Sequence, residues 1–473
     1  MYELFSKAVE ATSNIMYSYL LIILLLAVGL YFTLRTKFVQ FRLLGESVRL
    51  VTEKKQGSEG VSAFQALMVS TASRVGTGNI VGVANAIAIG GYGAVFWMWV
   101  IALVGGASAF VESTLAQIYK KDNGKGGSYG GPAYYIEAAL GKRWLGVVFA
   151  VALVATYAVG FNMLCSYNLV TSLSQYSFYG DPATSRVPLI CGAVLAVLVA
   201  VCALGGGKRI VRVTGFLVPV MGVSYIIMAL VVMVLNAGNI PMVLREIFAG
   251  AFDFKAIFGG FAGSALMQGI KRGLYSNEAG VGSAPNAAAA ADVSHPVKQG
   301  LVQMLSVFID TLLICTATAM MCLSSGIAPS EELSGAPFVQ TALASNFGNF
   351  GFYFISFSLL LFAFTTLIGN LFYCENCLNY IAGRTLSQGS MKVFNVLASL
   401  VVFLGALLDF GLVWNLADVL MGIMAIINLP VIVLLSKPAL AALNDYIRQR
   451  KAGMDPVFKA ASIGLKTKTD FWN

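Results

Sequence analysis

The chain of 473 residues is 58% hydrophobic and only 11% charged, and its mean hydropathy is +0.78. Soluble domains carry about 25% charged residues, so this composition excludes a soluble globular protein and predicts an all-α polytopic protein embedded in a lipid bilayer. The formal net charge of +9 does not indicate nucleic-acid binding, because the basic residues concentrate in alternate loops, as the positive-inside rule requires.

Eleven apolar segments are predicted to cross the membrane, and their lengths suit a hydrocarbon core of about 30 Å. Most of the 31 lysines and arginines lie in one set of alternate loops and in the C-terminal tail. This asymmetry predicts a plasma (inner) membrane protein with its N-terminus outside and its C-terminus in the cytoplasm. The predicted spans are residues 15–34, 61–89, 92–119, 144–176, 186–204, 209–236, 256–290, 297–326, 350–381, 391–409 and 411–435.

The ten spans after the first divide into two halves of five. The first half is residues 61–236, the second is residues 256–435, and residues 237–255 form an extracellular connector. Because five is odd, the second half enters the membrane with the opposite orientation, which is the inverted-repeat organisation of many secondary transporters. Residues 1–60 then hold the extracellular N-terminus, the first span and a cytoplasmic loop, and residues 436–473 form a cytoplasmic tail.

Each half opens with a span that polar, glycine-rich sequence interrupts. The first interruption covers residues 70–79 and the second covers residues 268–282. An unwound backbone in hydrocarbon leaves peptide groups without partners, so such a break survives only where it is buried in protein or lines a solute cavity. Paired interruptions in two halves therefore indicate the binding site of a secondary transporter.

The chemistry of the two breaks suits an amino-acid zwitterion. Residues 76–79 offer backbone N–H groups at the start of a half-helix, where the partial positive charge favours a carboxylate. We expect carbonyls of the second break to accept the substrate ammonium, and a polar face of the fourth span to line the pocket. The predicted substrate-binding residues are Gly76, Thr77, Gly78, Asn79, Asn162, Cys165, Met267, Gln268 and Gly269.

Charged residues inside the spans are functional candidates, because burying an ionisable group in the membrane is expensive. Arg74, Arg272 and Glu278 are predicted to gate the route: Arg74 by pairing with an acid on the cytoplasmic side, and Glu278 by pairing with Arg272 or by capping the next half-helix. Asp310 and Asp418 face inward in the predicted spans. A proton-coupled carrier would use such a carboxylate, so sodium and proton coupling both stay open.

Three motifs are distinctive: RVGTGNI at residues 74–80, GLYSNEAGVGSAP at residues 273–285, which is long and unusual, and GGPAYY at residues 130–135. Together they resemble the alanine or glycine:cation symporter family, and the resemblance covers nearly the whole chain. It implies a leucine-transporter (LeuT)-type fold and sodium-coupled uptake of small neutral amino acids, with sodium as a co-transported ion and no cofactor. The chain departs from the family at Cys165, where a glutamine is expected, so the identity of the amino acid stays open.

The LeuT-type pattern also implies a sodium site of five oxygens, which hard cations prefer as ligands. The half-helix before the first break supplies two carbonyls, and the ninth span supplies one carbonyl and two adjacent hydroxyls. Adjacent hydroxyls in an apolar helix can instead bond back to carbonyls one turn earlier. The implied sodium ligands are Ala72, Val75, Phe362, Thr365 and Thr366.

Other functional classes are less well supported. No HExxH motif, GxSxG motif or pair of catalytic carboxylates lies on a predicted span, so the sequence does not predict an enzyme, and no Walker motif predicts ATP use. His295 is predicted to be solvated in a cytoplasmic loop. An ion channel would need a continuous pore, which the inverted halves argue against. Within transport, the alternatives are a proton-coupled carrier and a glutamine-type substrate.

Overall fold

Helices form most of the chain in the computed structural model, which describes residues 2–53, 61–124, 126–181, 183–252, 264–330, 332–408, 410–465 and 467–472. In these described ranges, eight helices are long and apolar enough to cross a membrane. Two shorter apolar helices accompany them. The prediction of a helical polytopic membrane protein is therefore confirmed.

The first half of the chain alternates long apolar helices with short connecting ones. An antiparallel hairpin of β1 (Lys121–Asp122) and β2 (Ser128–Tyr129) follows the sixth helix. The helices are α1 (Glu3–Arg35), α2 (Val39–Arg42), α3 (Leu44–Val51), α4 (Ala63–Arg74), α5 (Val81–Gly90), α6 (Gly93–Ile118), α7 (Pro132–Leu140), α8 (Arg143–Thr171), α9 (Val187–Ala203), α10 (Gly206–Leu235) and α11 (Ile240–Ala251).

The second half has a similar sequence of helices and ends in a tail outside the bundle. A π-helical segment, Ile309–Cys315, lies within the third of these helices. The helices are α12 (Ala265–Asn277), α13 (Pro285–Ala290), α14 (Pro296–Ser324), α15 (Gly335–Phe347), α16 (Asn349–Ala382), α17 (Gln388–Gly405), α18 (Phe410–Leu434) and α19 (Ser436–Lys451).

A serine starts the first helix of each half. The Ser62 hydroxyl accepts from the Gln65 N–H (3.1 Å) and the Gln65 side chain accepts from the Ser62 N–H (3.0 Å). This capping box satisfies backbone donors that the first turn of α4 would otherwise leave unpaired. Ser264 caps α12 in the same way, by accepting from the Met267 N–H (3.2 Å). The predicted start of the seventh span, residues 256–263, lies outside the described residues.

Helix α6 occupies the centre of the bundle, where it packs against α1, α12 and α14. Two glycines of α12 face it, and a Cβ at Gly269 or Gly273 would clash with Ala94 or Ile101 of α6. Small residues let two helix backbones approach closely inside a membrane. These glycines therefore serve packing, and α12 stays helical through residues 268–277, which were predicted to belong to the second break.

The residues after α19 fold back over one end of the bundle. The Phe458 N–H donates to the Ser294 carbonyl (2.9 Å), and the Trp472 indole N–H donates to the Gln117 carbonyl (2.7 Å). The buried Lys298 ammonium donates to Asp455 (2.8 Å). The tail thus ties together the end of α6 and the start of α14.

His295 lies in this interface and not in solvent, so the prediction that it is solvated is wrong. Its ring contacts the rings of Tyr446 and Phe458, each with a centroid distance of 5.1 Å, and its Nδ1 accepts from the Val297 N–H (3.2 Å). Burial lowers the pKa of His295 from 6.5 to about 4, although Asp445 opposes this shift. The folded protein therefore favours the neutral imidazole of His295.

Acidification is expected to destabilise the protein through His295. Between pH 6.5 and about 4, His295 is protonated in the unfolded chain but neutral in the folded chain. The contribution of His295 to the free energy of unfolding is therefore fully present above pH 6.5 and is lost as the pH falls towards 4. We expect the melting temperature in detergent to fall by several degrees between pH 7 and pH 5. His295→Asn keeps an acceptor for Val297 and should flatten this decline. An equal decline in the variant would contradict the assignment.

Candidate functional site

The first break lies between α4 and α5 and is fully buried. The backbone leaves the helix at Val75, is extended at Gly76 and forms a 3₁₀ turn over Thr77–Asn79. The Asn79 side chain closes this turn, because its Oδ1 accepts from the Gly76 N–H (2.9 Å). Side-chain caps of this kind replace the water that a membrane interior does not supply.

The second break lies between α12 and α13. Glu278 ends α12 with a φ of 53°, which is the left-handed region, and glycines follow at positions 280 and 282 with φ of 82° and 91°. Side chains from other helices bind the backbone here. Glu112 accepts from the Gly280 N–H (3.2 Å), and the Asn428 amide donates to the Gly280 carbonyl (2.9 Å).

The two breaks touch each other in the interior. A Cβ at Gly78 would clash with the ring of Tyr275 near the end of α12, so only glycine permits this approach. The Asn79 amide donates to the Ser276 hydroxyl (2.9 Å), and the Ser73 hydroxyl lies 3.5 Å from the Glu278 carboxylate. These contacts bring residues from the two halves of the chain into one buried site.

Four of the five residues implied as sodium ligands contact one another in two pairs. The Thr366 hydroxyl donates across helices to the Ala72 carbonyl (2.9 Å), and the Thr365 hydroxyl lies 3.2 Å from the Phe362 carbonyl. Thr365 also bonds the Leu361 carbonyl (2.9 Å), so local back-bonding describes Thr365 but not Thr366. The contact between Thr366 and Ala72 brings two buried oxygens from different helices together, and oxygens are the ligands that hard cations prefer.

The polar face of α8 reaches the first break. The Asn168 amide donates to the Thr77 hydroxyl (2.9 Å), which lies 3.8 Å from the Cys165 sulfur. Asn162 accepts from the amide of Asn370 (3.1 Å). The predicted Asn162 and Cys165 therefore lie beside the break, whereas Asn168 and Asn370 were not predicted as site residues. Both belong to polar runs within apolar spans, and that pattern could have identified them.

Met267, Gln268 and Gly269 do not line an unwound segment. They lie in the first turns of α12, whose carbonyls are used by the helical hydrogen bonds. The expectation that these carbonyls accept the substrate ammonium is therefore wrong. The physical reason is the packing of Gly269 on α6, which uses the missing side chain for close contact and leaves the helix intact.

The charged residues of α12 form a buried cluster with α18. The ammonium of Lys271 and the guanidinium of Arg272 lie 2.9 and 3.2 Å from the Asp418 carboxylate, and none of these side chains is more than 8% exposed. The Arg272 guanidinium also stacks over the ring of Trp414 at 4.2 Å, and this ring contacts Tyr275. Arg272 thus pairs with Asp418 and not with Glu278.

Arg74 and Glu278 are also buried, but they do not form a close ion pair. One guanidinium N–H of Arg74 donates to the Gln303 carbonyl (3.3 Å), and within the described ranges no carboxylate lies within 4 Å of it. Glu278 accepts from the Ser283 hydroxyl (2.6 Å). The predicted pairing of Arg74 with an acid is therefore absent from this state, although its charge still acts on Glu112 and Glu278.

A cavity of about 1470 Å³ opens at the end of the bundle that carries the basic loops. Its walls come from the start of α4, from α13, and from α10, α16 and α17. Polar and basic side chains line much of it, including Gln65, Lys208, Arg212, Asn286, Asn376 and Lys392.

Paired breaks at a buried site within a bundle of apolar helices define a class of protein, the secondary transporters of LeuT-type fold. Solved structures share this fold. MhsT in complex with L-phenylalanine is 14% identical, with a TM-score of 0.54 over 89% of this chain and 94% of that chain. A mutant of the Eremococcus coleocola manganese transporter is also 14% identical, with a TM-score of 0.53 over 89% and 85%. At this identity the likeness shows the fold alone.

Sequence relatives identify the family. The model of the sodium:alanine symporter family matches residues 2–460. Amino-acid carrier protein AlsT of Bacillus subtilis is 46% identical over 98% of this chain and 97% of its own length. The probable sodium/glutamine symporter GlnT of Bacillus subtilis is 45% identical (97% and 94%), and sodium/alanine symporter AgcS of Methanococcus maripaludis is 38% identical (94% and 98%). The chain belongs to the sodium:alanine symporter family, and it is a sodium-coupled transporter, not an enzyme.

Proposed function

We propose that the chain imports alanine-type small neutral amino acids together with sodium, by alternating access across the plasma membrane. The observation that carries this proposal is the meeting of the two breaks, where Gly78 contacts Tyr275 and Asn79 bonds Ser276. A zwitterion needs opposite partial charges close together, and two helix ends that face each other supply them.

The proposed architecture has eleven spans, with the N-terminus outside and two inverted halves of five, residues 61–236 and 256–435. The helix pairs α4–α5 and α12–α13 each count as one span in this scheme. The basic loops support the orientation, because they lie at the end where the tail folds back.

The proposed sodium site consists of the Ala72, Val75 and Phe362 carbonyls and the Thr365 and Thr366 hydroxyls. Sodium bound there would replace the hydrogen bond from Thr366 to Ala72 and would hold the end of α4 against α16. We therefore expect sodium binding to depend on the conformation of the first break.

The substrate carboxylate is proposed to meet the backbone N–H groups of residues 76–79. The ammonium is proposed to meet the non-helical residues after α12, on the side of the Glu278 carboxylate, in place of residues 267–269. Cys165 and Asn168 contact Thr77 and are proposed to contact the substrate's side chain.

The gates are proposed to be closed on the outside and open towards the cytoplasm. The Arg272–Asp418 pair and the ring of Tyr275 cover the breaks on one side, and the large cavity opens on the side of the basic loops. Arg74 is the last residue of α4, directly before the first break. It is proposed to pair with an acid when the cytoplasmic side closes.

Transport into proteoliposomes, with sodium and proton gradients imposed separately, tests the proposal. We expect an inward sodium gradient to drive accumulation of radiolabelled alanine, with glycine and serine as competitors, and a proton gradient alone to drive none. Accumulation driven by protons alone would support the proton-coupled alternative. Preference for glutamine over alanine would support the glutamine-type substrate.

A further inference from the structure

Asp310 is a buried carboxylate that the proposed sodium and substrate sites do not use. It lies on α14 at the start of the π-helical segment Ile309–Cys315, and its exposed fraction is 0%. Widened π turns occur frequently at functional sites. Among the described residues no cationic side chain pairs with Asp310 within 4 Å. Neutral hydrogen-bond donors therefore bind this carboxylate. The segments that supply these donors indicate the role of Asp310.

The two carboxylate oxygens of Asp310 accept hydrogen bonds from residues at the two different breaks. The Asn79 amide of the first break donates to Oδ1 (2.7 Å), and the Ser276 hydroxyl at the end of α12 donates to Oδ2 (2.6 Å). The hydroxyl of Thr311 also donates to Oδ2 (2.9 Å). Since Asn79 Oδ1 accepts from the Gly76 N–H (2.9 Å), a continuous chain of hydrogen bonds joins the backbone of one break to the last turn before the other.

We propose that Asp310 is the positioning residue that couples the two breaks, so that sodium binding at the first break organises the second break for the substrate. The inference rests on the proposed function. The Asn79 amide also bonds the Ser276 hydroxyl directly (2.9 Å). Hydrogen bonds to a carboxylate are shorter and about twice as strong as such neutral ones, so a displacement of Asn79 is passed to Ser276 mainly through Asp310. By linkage, such a connection makes sodium raise the affinity for the amino acid.

Thr318 provides a control that distinguishes coupling between the two breaks from anchoring of the first break alone. The Thr318 hydroxyl, on the same helix, donates to the Asn79 carbonyl (2.7 Å). This bond holds the first break alone, whereas Asp310 holds both. Loss of Thr318 should therefore loosen one break and leave the connection between the breaks intact.

The test compares alanine affinity at saturating and at minimal sodium in purified, reconstituted protein. Couplings between sites are commonly about 5–150-fold. We expect the wild-type ratio of affinities to fall about tenfold or more in Asp310→Asn and to be retained in Thr318→Val.

Each outcome separates the inference from the proposed function. If the wild type binds alanine without sodium dependence, the proposed function fails. If the wild type is dependent and Asp310→Asn keeps the full ratio, or if Thr318→Val loses it equally, the coupling role of Asp310 is overturned. Should Asp310→Asn not fold, Ser276→Ala removes the far bond to Asp310 together with the direct bond from the Asn79 amide (2.9 Å), and an unchanged ratio in that variant overturns the proposal as well.

Discussion

Uptake driven by sodium is expected to disappear when Thr365 and Thr366 are both replaced by valine. Valine has nearly the same shape as threonine, but it puts methyl groups where the proposed site needs two oxygens. An interaction between a charged group and such an oxygen contributes roughly 1.5–3 kcal/mol, so the half-saturating sodium concentration should rise at least about 100-fold. The measurement is initial alanine uptake into proteoliposomes as a function of external sodium.

Two controls accompany this double variant. Serine at both positions keeps the oxygens and should keep sodium-dependent uptake. Thr214→Val removes another buried hydroxyl, which bonds back to the Ile210 carbonyl within α10 (3.0 Å), and should leave sodium dependence unchanged. If the valine double variant takes up alanine with undiminished sodium dependence, the proposed ligands are wrong.

The position of the first break was predictable because its glycines are required by local geometry. Residues 70–79 were predicted to be interrupted, and the non-helical residues 75–80 overlap the end of that run. Gly76 and Gly78 have no room for a side chain beside Thr366 and Tyr275. Polar residues next to such glycines indicate a break in the helix and not a simple helix–helix contact.

The second break was predicted to begin at residue 268, whereas the helix continues to Asn277, because the same residue type serves two purposes. Gly269 and Gly273 resemble helix breakers in the sequence, but they permit contact between α12 and α6. Glu278, which does end the helix, has a left-handed backbone that is rare for glutamate. Only the position of a neighbouring helix distinguishes a packing glycine from a break, and this position is tertiary information.

The partner of Arg272 was unpredictable for a related reason. Asp418 lies 146 positions away, whereas the predicted partner was the nearby Glu278. Pairing within a helical bundle depends on which faces meet. Residues of the breaks could therefore be identified from their local pattern, whereas partners across the bundle required the structure.

Asp418→Asn is expected to open the outer side of the transporter and to lower its stability. The carboxylate faces both Lys271 and Arg272, and the side chains of these residues are only 5% and 8% exposed. Removing one partner of a buried ion pair commonly costs about 3–5 kcal/mol, because the remaining charge is left uncompensated. Hydration of the two cations would lower this free-energy cost most easily, and hydration requires α12 and α18 to separate.

Access to Cys165 reports this opening, because its sulfur lies 3.8 Å from the Thr77 hydroxyl at the first break. In a background where Cys165 is the only cysteine, an impermeant thiol reagent added from outside should label Asp418→Asn at least about ten times faster than the parent. Glu137→Gln breaks the exposed pair with Arg143, which contributes at most about 1 kcal/mol, so it should not change labelling. Equal labelling of Asp418→Asn and the parent would mean that the Tyr275 ring closes the outer side without help from the charge cluster.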